Sequence, residues 1–324
     1  LRSEEGKKLC QELVKVCDIV VESYALRDKR ALGVDYSTLS AINSRIILVS
    51  ITAFGLDGPY AQRLGFDPIA QAISGSMACT GFPGNPPTRS GVAWVDYGAA
   101  LHAALGAMFA LWQREKSGRG QQVDVSLLDV AAALVAQHGI YAEYKKLGVE
   151  RPQLGNASPY AFADSFRAKD GWVFISCTRT GVWRRFLRVI DREELREDPR
   201  FRTDWDRAQN RELIAQAVGP WVAQRTVQEI ADLLEKAQVP CGRMNTVREA
   251  VEDAQLSHRN MMLELEYPQA GKVLVSGTVI KMSQTPGEIK SRAPLVGEHN
   301  EEIYCRLLGH SQEELMRWQQ EGTL

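Results

Sequence analysis

The 324-residue chain has no dominant charge: 39 Lys and Arg stand against 40 Asp and Glu, a net charge of −1 with histidine neutral. Nucleic-acid binders and membrane-surface proteins usually carry a basic excess, so neither kind of partner is expected. Long hydrophobic runs are missing too. The longest, such as Ile46 to Ile51 and Ala131 to Ala136, fall far short of the ~20 residues that span a bilayer. The six cysteines (Cys10, Cys17, Cys79, Cys177, Cys241, Cys305) are scattered singly, with no C-x-x-C pair and no histidine at zinc spacing. This argues against a metal site and against a disulfide framework, and for a reducing compartment, the cytoplasm or an organelle matrix. No G-x-G-x-x-G, P-loop, G-x-S-x-G, H-E-x-x-H or EF-hand pattern occurs, which weakens any dinucleotide reading. A starting methionine and a basic-then-apolar leader are absent from Leu1-Arg2-Ser3-Glu4-Glu5; the expectation is a removed targeting segment or a start inside a longer protein.

Charged residues make up 24% and hydrophobic ones 44%, a balance that folds. The length exceeds what one core usually fills, so two domains are expected. Ser3 can cap a first helix, and the β-branched run Asp18 to Glu22 follows it. A second run, Arg45 to Ile51, comes after a short helical segment at 36–42. Apolar runs that are continuous rather than alternating mark strands buried on both faces, hence a parallel sheet with helical crossovers. Glycines and prolines crowd the stretch from Phe54 to Thr88 around an expected helix at 67–77. A long helix from about Tyr97 to Glu115, rich in Gly and Ala, leads to a strand at 122–126 and a helix at 127–147. Past residue 150 the pattern predicts a linker at 151–166, a strand at 172–176 and helices near 180–190, 207–222 and 226–237. A small antiparallel piece is expected from 273–275 and 279–280, and an amphipathic tail at 301–319 that packs back on the first domain.

Asp96 is the candidate nucleophile on physical grounds. It is the lone carboxylate in Gly91-Val92-Ala93-Trp94-Val95-Asp96-Tyr97-Gly98, directly before the small-residue helix. The plain alternative is that Asp96 caps that helix by accepting from its first free N–H groups. Asp67, in Gly65-Phe66-Asp67-Pro68, also precedes a helix and has the same two readings. Arg27, Lys29 and Arg30, beyond the first strand, make a solvated turn or meet phosphates at the sheet's ligand edge. The histidines at 102, 138, 258, 299 and 310 are widely separated, and each reads as structural.

In order along the chain stand Val20-Val21-Glu22-Ser23-Tyr24, Leu32-Gly33-Val34-Asp35-Tyr36, Ala53-Phe54-Gly55-Leu56-Asp57-Gly58-Pro59, Gly65-Phe66-Asp67-Pro68-Ile69-Ala70-Gln71, Val95-Asp96, Arg114 to Gln121, Val123 to Asp129, Lys169-Asp170-Gly171, Val239-Pro240-Cys241-Gly242 and Arg292 to His299. Together they resemble the family III CoA-transferases, the group typified by formyl-CoA transferase and carnitine CoA-transferase. The resemblance implies an α/β fold with a Rossmann-like large domain, a smaller α+β domain and an interlocked, ring-like homodimer. It implies transfer of coenzyme A from an acyl-CoA to a carboxylic acid through an anhydride and a thioester on Asp96, with coenzyme A a substrate and no metal or redox cofactor. Ser23, Tyr24 and Arg30 are then expected at coenzyme A, and Phe66, Asp67 and Asn156 in the substrate pocket. The implied domains are 1–150 (large, coenzyme A-binding, front missing), 151–166 (linker), 167–285 (small) and 286–324 (returning to the large domain).

The chain departs from the family pattern V-E-N-F-x-P-G at Val21-Glu22-Ser23-Tyr24-Ala25-Leu26-Arg27, and Asn156-Ala157-Ser158-Pro159-Tyr160 occupies the stretch of the formyl-CoA transferases' glycine-rich lid. Acyl-CoA racemases share the fold and carry a histidine just before the aspartate that matches Asp67. Here that position is Phe66, so a proton carrier is lost and transfer is preferred over racemisation. A non-catalytic coenzyme A-binding subunit is the third reading.

Overall fold

In the computed structural model, which describes residues 1 and 3–324, the continuous apolar runs become parallel strands. Ser3 caps α1 (Glu4–Val16) by accepting from the Gly6 amide at 3.0 Å, and β1 (Ile19–Glu22) follows. Helices α2 (Leu26–Leu32) and α3 (Tyr36–Ile42) return the chain to β2 (Ile47–Thr52). Then come α4 (Asp67–Ile73), α5 (Ser76–Cys79), the 24-residue α6 (Trp94–Ser117), β3 (Gln122–Ser126), α7 (Leu127–Gln137) and α8 (Ile140–Leu147). The sheet order is β1-β2-β3, every pair parallel. By contacts, Leu1–Gln153 and Pro294–Leu324 form one unit and Leu154–Ala293 another.

β2 explains why its run is not amphipathic. Ile46 and Leu48 face Val14 and Leu39 on the α1 and α3 side, while Ile47 and Val49 face Ala99, Ala103 and Val130 on the α6 and α7 side. Helices therefore cover both faces. The buried side of α6 is built from small residues, with Ala99, Ala103, Ala107 and Ala110 following Val95. A Cβ added at Gly106 would meet Val123 Cγ1 at 2.6 Å, so the helix lies as close to the sheet as backbone allows. Its other side is large and apolar: Tyr97, Leu101, Leu105, Met108 and Trp112 are all exposed. At its far end the buried Arg114 pairs with Asp18 at 2.8 Å and donates to the Arg45 carbonyl at 3.1 Å. That contact locks the helix to the starts of β1 and β2.

The second unit carries β4 (Ala163–Arg167), β5 (Trp172–Ser176) and β6 (Cys241–Arg243) in an antiparallel sheet. Helices α9 (Thr180–Val189), α11 (Arg211–Ala223) and α12 (Val227–Lys236), with α10 (Asp204–Gln209) between the first two in sequence, pack on it; its core is where Phe162, Val173, Ile175, Trp183, Phe186 and Ile230 meet. The short helices α13 (Val247–Val251) and α14 (Ala254–His258) and the hairpin of β7 (Met262–Tyr267) with β8 (Gly271–Ser276) follow. The chain ends in a π-helical turn (Glu301–Leu307) and α15 (Gln312–Gln320), which belong to the first unit. There His310 Nε2 sits 2.6 Å from Glu12 of α1, and Trp318 is buried.

Several expected elements differ. The helix expected at 67–77 breaks at Gly75 and that at 127–147 at Gly139, both in left-handed conformation with φ of 80° and 73°, which a glycine adopts without steric cost. The last residues of the expected linker, 163–166, are instead part of strand β4, held by pairing with β5. Val273–Val275 pair with β7, not with residues 279–280, which lie outside any strand. The tail is two helices because Ser311 starts a fresh capping box with Glu314.

Candidate active site

Ligands of a parallel sheet gather beyond the carboxyl ends of its strands. At that edge Glu22, Ser50 and Asp124 stand side by side in register. β1 leads there into Ser23 and Tyr24, both exposed, and α2 then presents the exposed Arg30. Beneath them lies a group that sequence reasoning missed. Glu22 Oε1 takes an ion pair from Lys29 Nζ at 2.6 Å, with 3% and 4% of the two side chains exposed. Glu22 Oε2 accepts from the Tyr24 amide at 2.9 Å. A charge closing a strand with an opposite charge seven residues on was the available signal.

Asp96 lies in the first turn of α6, but it does not cap the helix. Asp67, from α4, does: its Oδ2 accepts from the Val95 amide at 2.8 Å and from the Asp96 amide at 3.2 Å. Its Oδ1 accepts from Gln71 Nε2 at 2.5 Å, and Gln71 Oε1 in turn accepts from the Ser90 amide at 3.1 Å. Asp67 and Gln71 are 4% and 1% exposed. A buried carboxylate thus satisfies the helix's free donors, and both its oxygens are taken. Asp67, expected in the substrate pocket, is buried with its carboxylate against the first amides of α6. Gln71, four residues along α4, is the i, i+4 partner that sequence reasoning passed over.

Because Asp67 does the capping, the Asp96 carboxylate is exposed and has no hydrogen-bond partner among the described residues. Partial loss of solvent on the side facing the protein first, and then repulsion from Asp67, raise the Asp96 carboxyl above its ordinary value. A raised carboxylate is a stronger nucleophile once ionised, and it ionises at a higher pH. Phe66, immediately before Asp67, is 75% exposed. The first unit thus brings Phe66, Asp67 and Asp96 to one helix end, and places Ser23, Tyr24 and Arg30 at the exit of β1. Asn156 belongs to the second unit, where its side-chain amide donates to Ser165 Oγ at 2.9 Å. No helix among the described residues is long and apolar enough to cross a membrane.

Comparison with known proteins adds the following. A family model described as CoA-transferase family III matches residues 1–300. The succinyl-CoA–D-citramalate CoA-transferase of Chloroflexus aurantiacus is 32% identical over 317 residues, covering 97% of this chain and 78% of that protein. The formyl-CoA:oxalate CoA-transferase of Streptomyces avermitilis is 32% identical over 339 residues, covering 100% and 82%. Among solved structures, a CaiB/BaiF family protein from Brucella suis superposes with a TM-score of 0.81 at 32% identity, covering 94% of this chain and 79% of that one.

Proposed function

The chain belongs to CoA-transferase family III, and from that premise we propose that it moves coenzyme A between acids by forming covalent intermediates on Asp96. An Asp96 carboxylate oxygen attacks the donor thioester carbonyl, and the coenzyme A thiolate leaves, giving a mixed anhydride. The thiolate attacks the aspartyl carbonyl of that anhydride, releasing the donor acid as a carboxylate and leaving an aspartyl thioester. The acceptor carboxylate attacks the aspartyl thioester and expels the thiolate again. The thiolate then attacks the acceptor carbonyl of the second anhydride, giving the new acyl-CoA and free Asp96. Each step exchanges one acyl bond for another, so the thioester energy is conserved and one hard exchange is split into easier ones. The steps draw on carboxylate and thiolate alone.

One observation carries this reading: Asp67 caps α6, so the Asp96 carboxylate is left unengaged at the helix end. Coenzyme A is assigned to Ser23, Tyr24 and Arg30 at the exit of β1, where a parallel sheet takes its ligands, and Phe66 to the wall of the acyl pocket. A parallel sheet with helices on both faces supports a Rossmann-like reading of the first unit. The large apolar side chains left exposed along α6 support an interlocked homodimer, because a monomer rarely shows so continuous an apolar face.

The test is intact-mass analysis after incubation with a panel of dicarboxylic and short-chain acyl-CoAs. A coenzyme A or acyl increment is expected, and it is absent in Asp96→Asn. No increment with any donor refutes covalent transfer and favours the binding-subunit reading. Deuterium uptake at the α-carbon of a 2-methylacyl-CoA without an acceptor acid would favour racemisation, which Phe66 argues against.

A further inference from the structure

We infer that Lys29 is a positioning residue for coenzyme A, acting through Glu22; this rests on the assignment of Ser23, Tyr24 and Arg30 made above. Glu22 closes β1 at the ligand edge of the sheet, and its carboxylate is held from two directions. Lys29, in the middle of α2, binds one oxygen at 2.6 Å, and the Tyr24 amide donates to the other at 2.9 Å. Ser23 lies between Glu22 and Tyr24, and Arg30 follows Lys29 directly, so each group offered to the ligand is one residue from an anchor or is itself anchored.

From Glu22 to Leu32 the chain has neither proline nor glycine, so nothing in the backbone composition restricts this turn. The restraint is the ion pair. Stability alone does not call for it, because burying two charges costs desolvation that their attraction repays only in good geometry, and an apolar pair of similar size does as well. An apolar residue at position 29 would fill the space without fixing where α2 sits relative to the strand end. The charged pair adds direction: it sets the angle at which Arg30 and the Ser23–Tyr24 turn meet the ligand before the ligand arrives.

Lys29→Met alone strands the Glu22 charge and lowers the melting temperature. The informative variant is the double Glu22→Gln/Lys29→Met, in which both charges are gone. Melting temperature and the Kd for free coenzyme A, by calorimetry, are measured on the same samples. The double variant is expected to melt above Lys29→Met, recovering stability, while binding coenzyme A about tenfold more weakly than wild type, since small misplacements of binding groups cost that much or more. An unchanged Kd at restored stability overturns the inference and leaves the Asp96 reading untouched. Failure of the wild type to bind coenzyme A overturns the site assignment and this inference with it. Amide exchange of the wild type gives a second arm, independent of any variant folding. The Tyr24 amide is expected to be protected before coenzyme A is added, and protection gained only on binding overturns the inference.

Discussion

Removing the Asp67 carboxylate should be felt in both stability and the pH dependence of catalysis. Asp67→Ala deletes a cap whose loss costs about 1 kcal/mol at an ordinary helix start. Here the Val95 amide it serves is buried, with Val95 0% exposed, and an unsatisfied buried donor adds about 1–3 kcal/mol. The sum, roughly 2–4 kcal/mol, corresponds to a fall in melting temperature on the order of 10 °C. Asp67→Asn keeps an acceptor and loses only the charge at the helix N-terminus, about 0.5–1 kcal/mol. The kinetic effect separates the two roles of this residue. Asp67 is one of the two causes that raise the Asp96 carboxyl, so in Asp67→Asn the Asp96 carboxyl falls toward its ordinary value. Ionised Asp96 then persists to lower pH, and the acid limb of adduct formation moves down. The assay is the rate of adduct formation against pH, by quenched-flow mass spectrometry, for wild type and Asp67→Asn. A limb that stays in place or moves up refutes the electrostatic argument; an Asp67→Ala protein that melts with the wild type refutes the capping argument.

Asp96→Asn abolishes the mass increment without lowering stability at pH 7. A folded-state carboxyl raised above its unfolded value costs stability once pH exceeds both values, and the amide removes that cost; a melting temperature at pH 7 below wild type would contradict the sign. Arg114→Met, which breaks the pair with Asp18 and the bond to the Arg45 carbonyl, lowers stability in urea by about 2–3 kcal/mol; a value near zero would mean the clasp is idle. Gly120→Ala puts a Cβ 1.9 Å from the Ile46 carbonyl oxygen and costs about 3 kcal/mol or more. Gly219→Ala, in α11 with open space around it, gains about 0.5–1 kcal/mol. Equal melting temperatures for the two glycine variants would refute the packing account.

The strands of the first unit were readable because burial on both faces leaves a run such as Ile46 to Val49 uniformly apolar. The long helix was readable from its alanines and glycines, which only close packing explains. β4 was not, because Ala163-Asp164-Ser165-Phe166-Arg167 has a mixed pattern and becomes a strand through pairing with β5, a tertiary effect that overrides local preference. Asp96 stood out as a lone carboxylate at a helix start, yet its freedom depends on Asp67, which lies 29 residues away. Capping rules look only at neighbours in sequence, so the acceptor that caps this helix was invisible to them. Lys29 likewise looked like one of three surface cations, and only its burial beside Glu22 distinguishes it.

The strand order has a kinetic consequence. β1 and β2 are separated by residues 23–46, whereas residues 53–121 must be looped out before β3 can pair with β2. Closing the longer loop costs roughly 1 kcal/mol more, and such late, non-local pairings slow folding. Pulse-labelled exchange should find β2 amides protected before those of β3, and simultaneous protection would contradict that order. Asp67, Gln71, Ser90 and Asp96 all lie inside the long loop, so a chain with only its first two strands joined has β1 and β2 paired but not the Asp67–Gln71–Ser90 network at the start of α6. On the proposed reading Asp96 reaches its place only when β3 joins the sheet, and a chain caught before that pairing is expected to form no adduct with acyl-CoA.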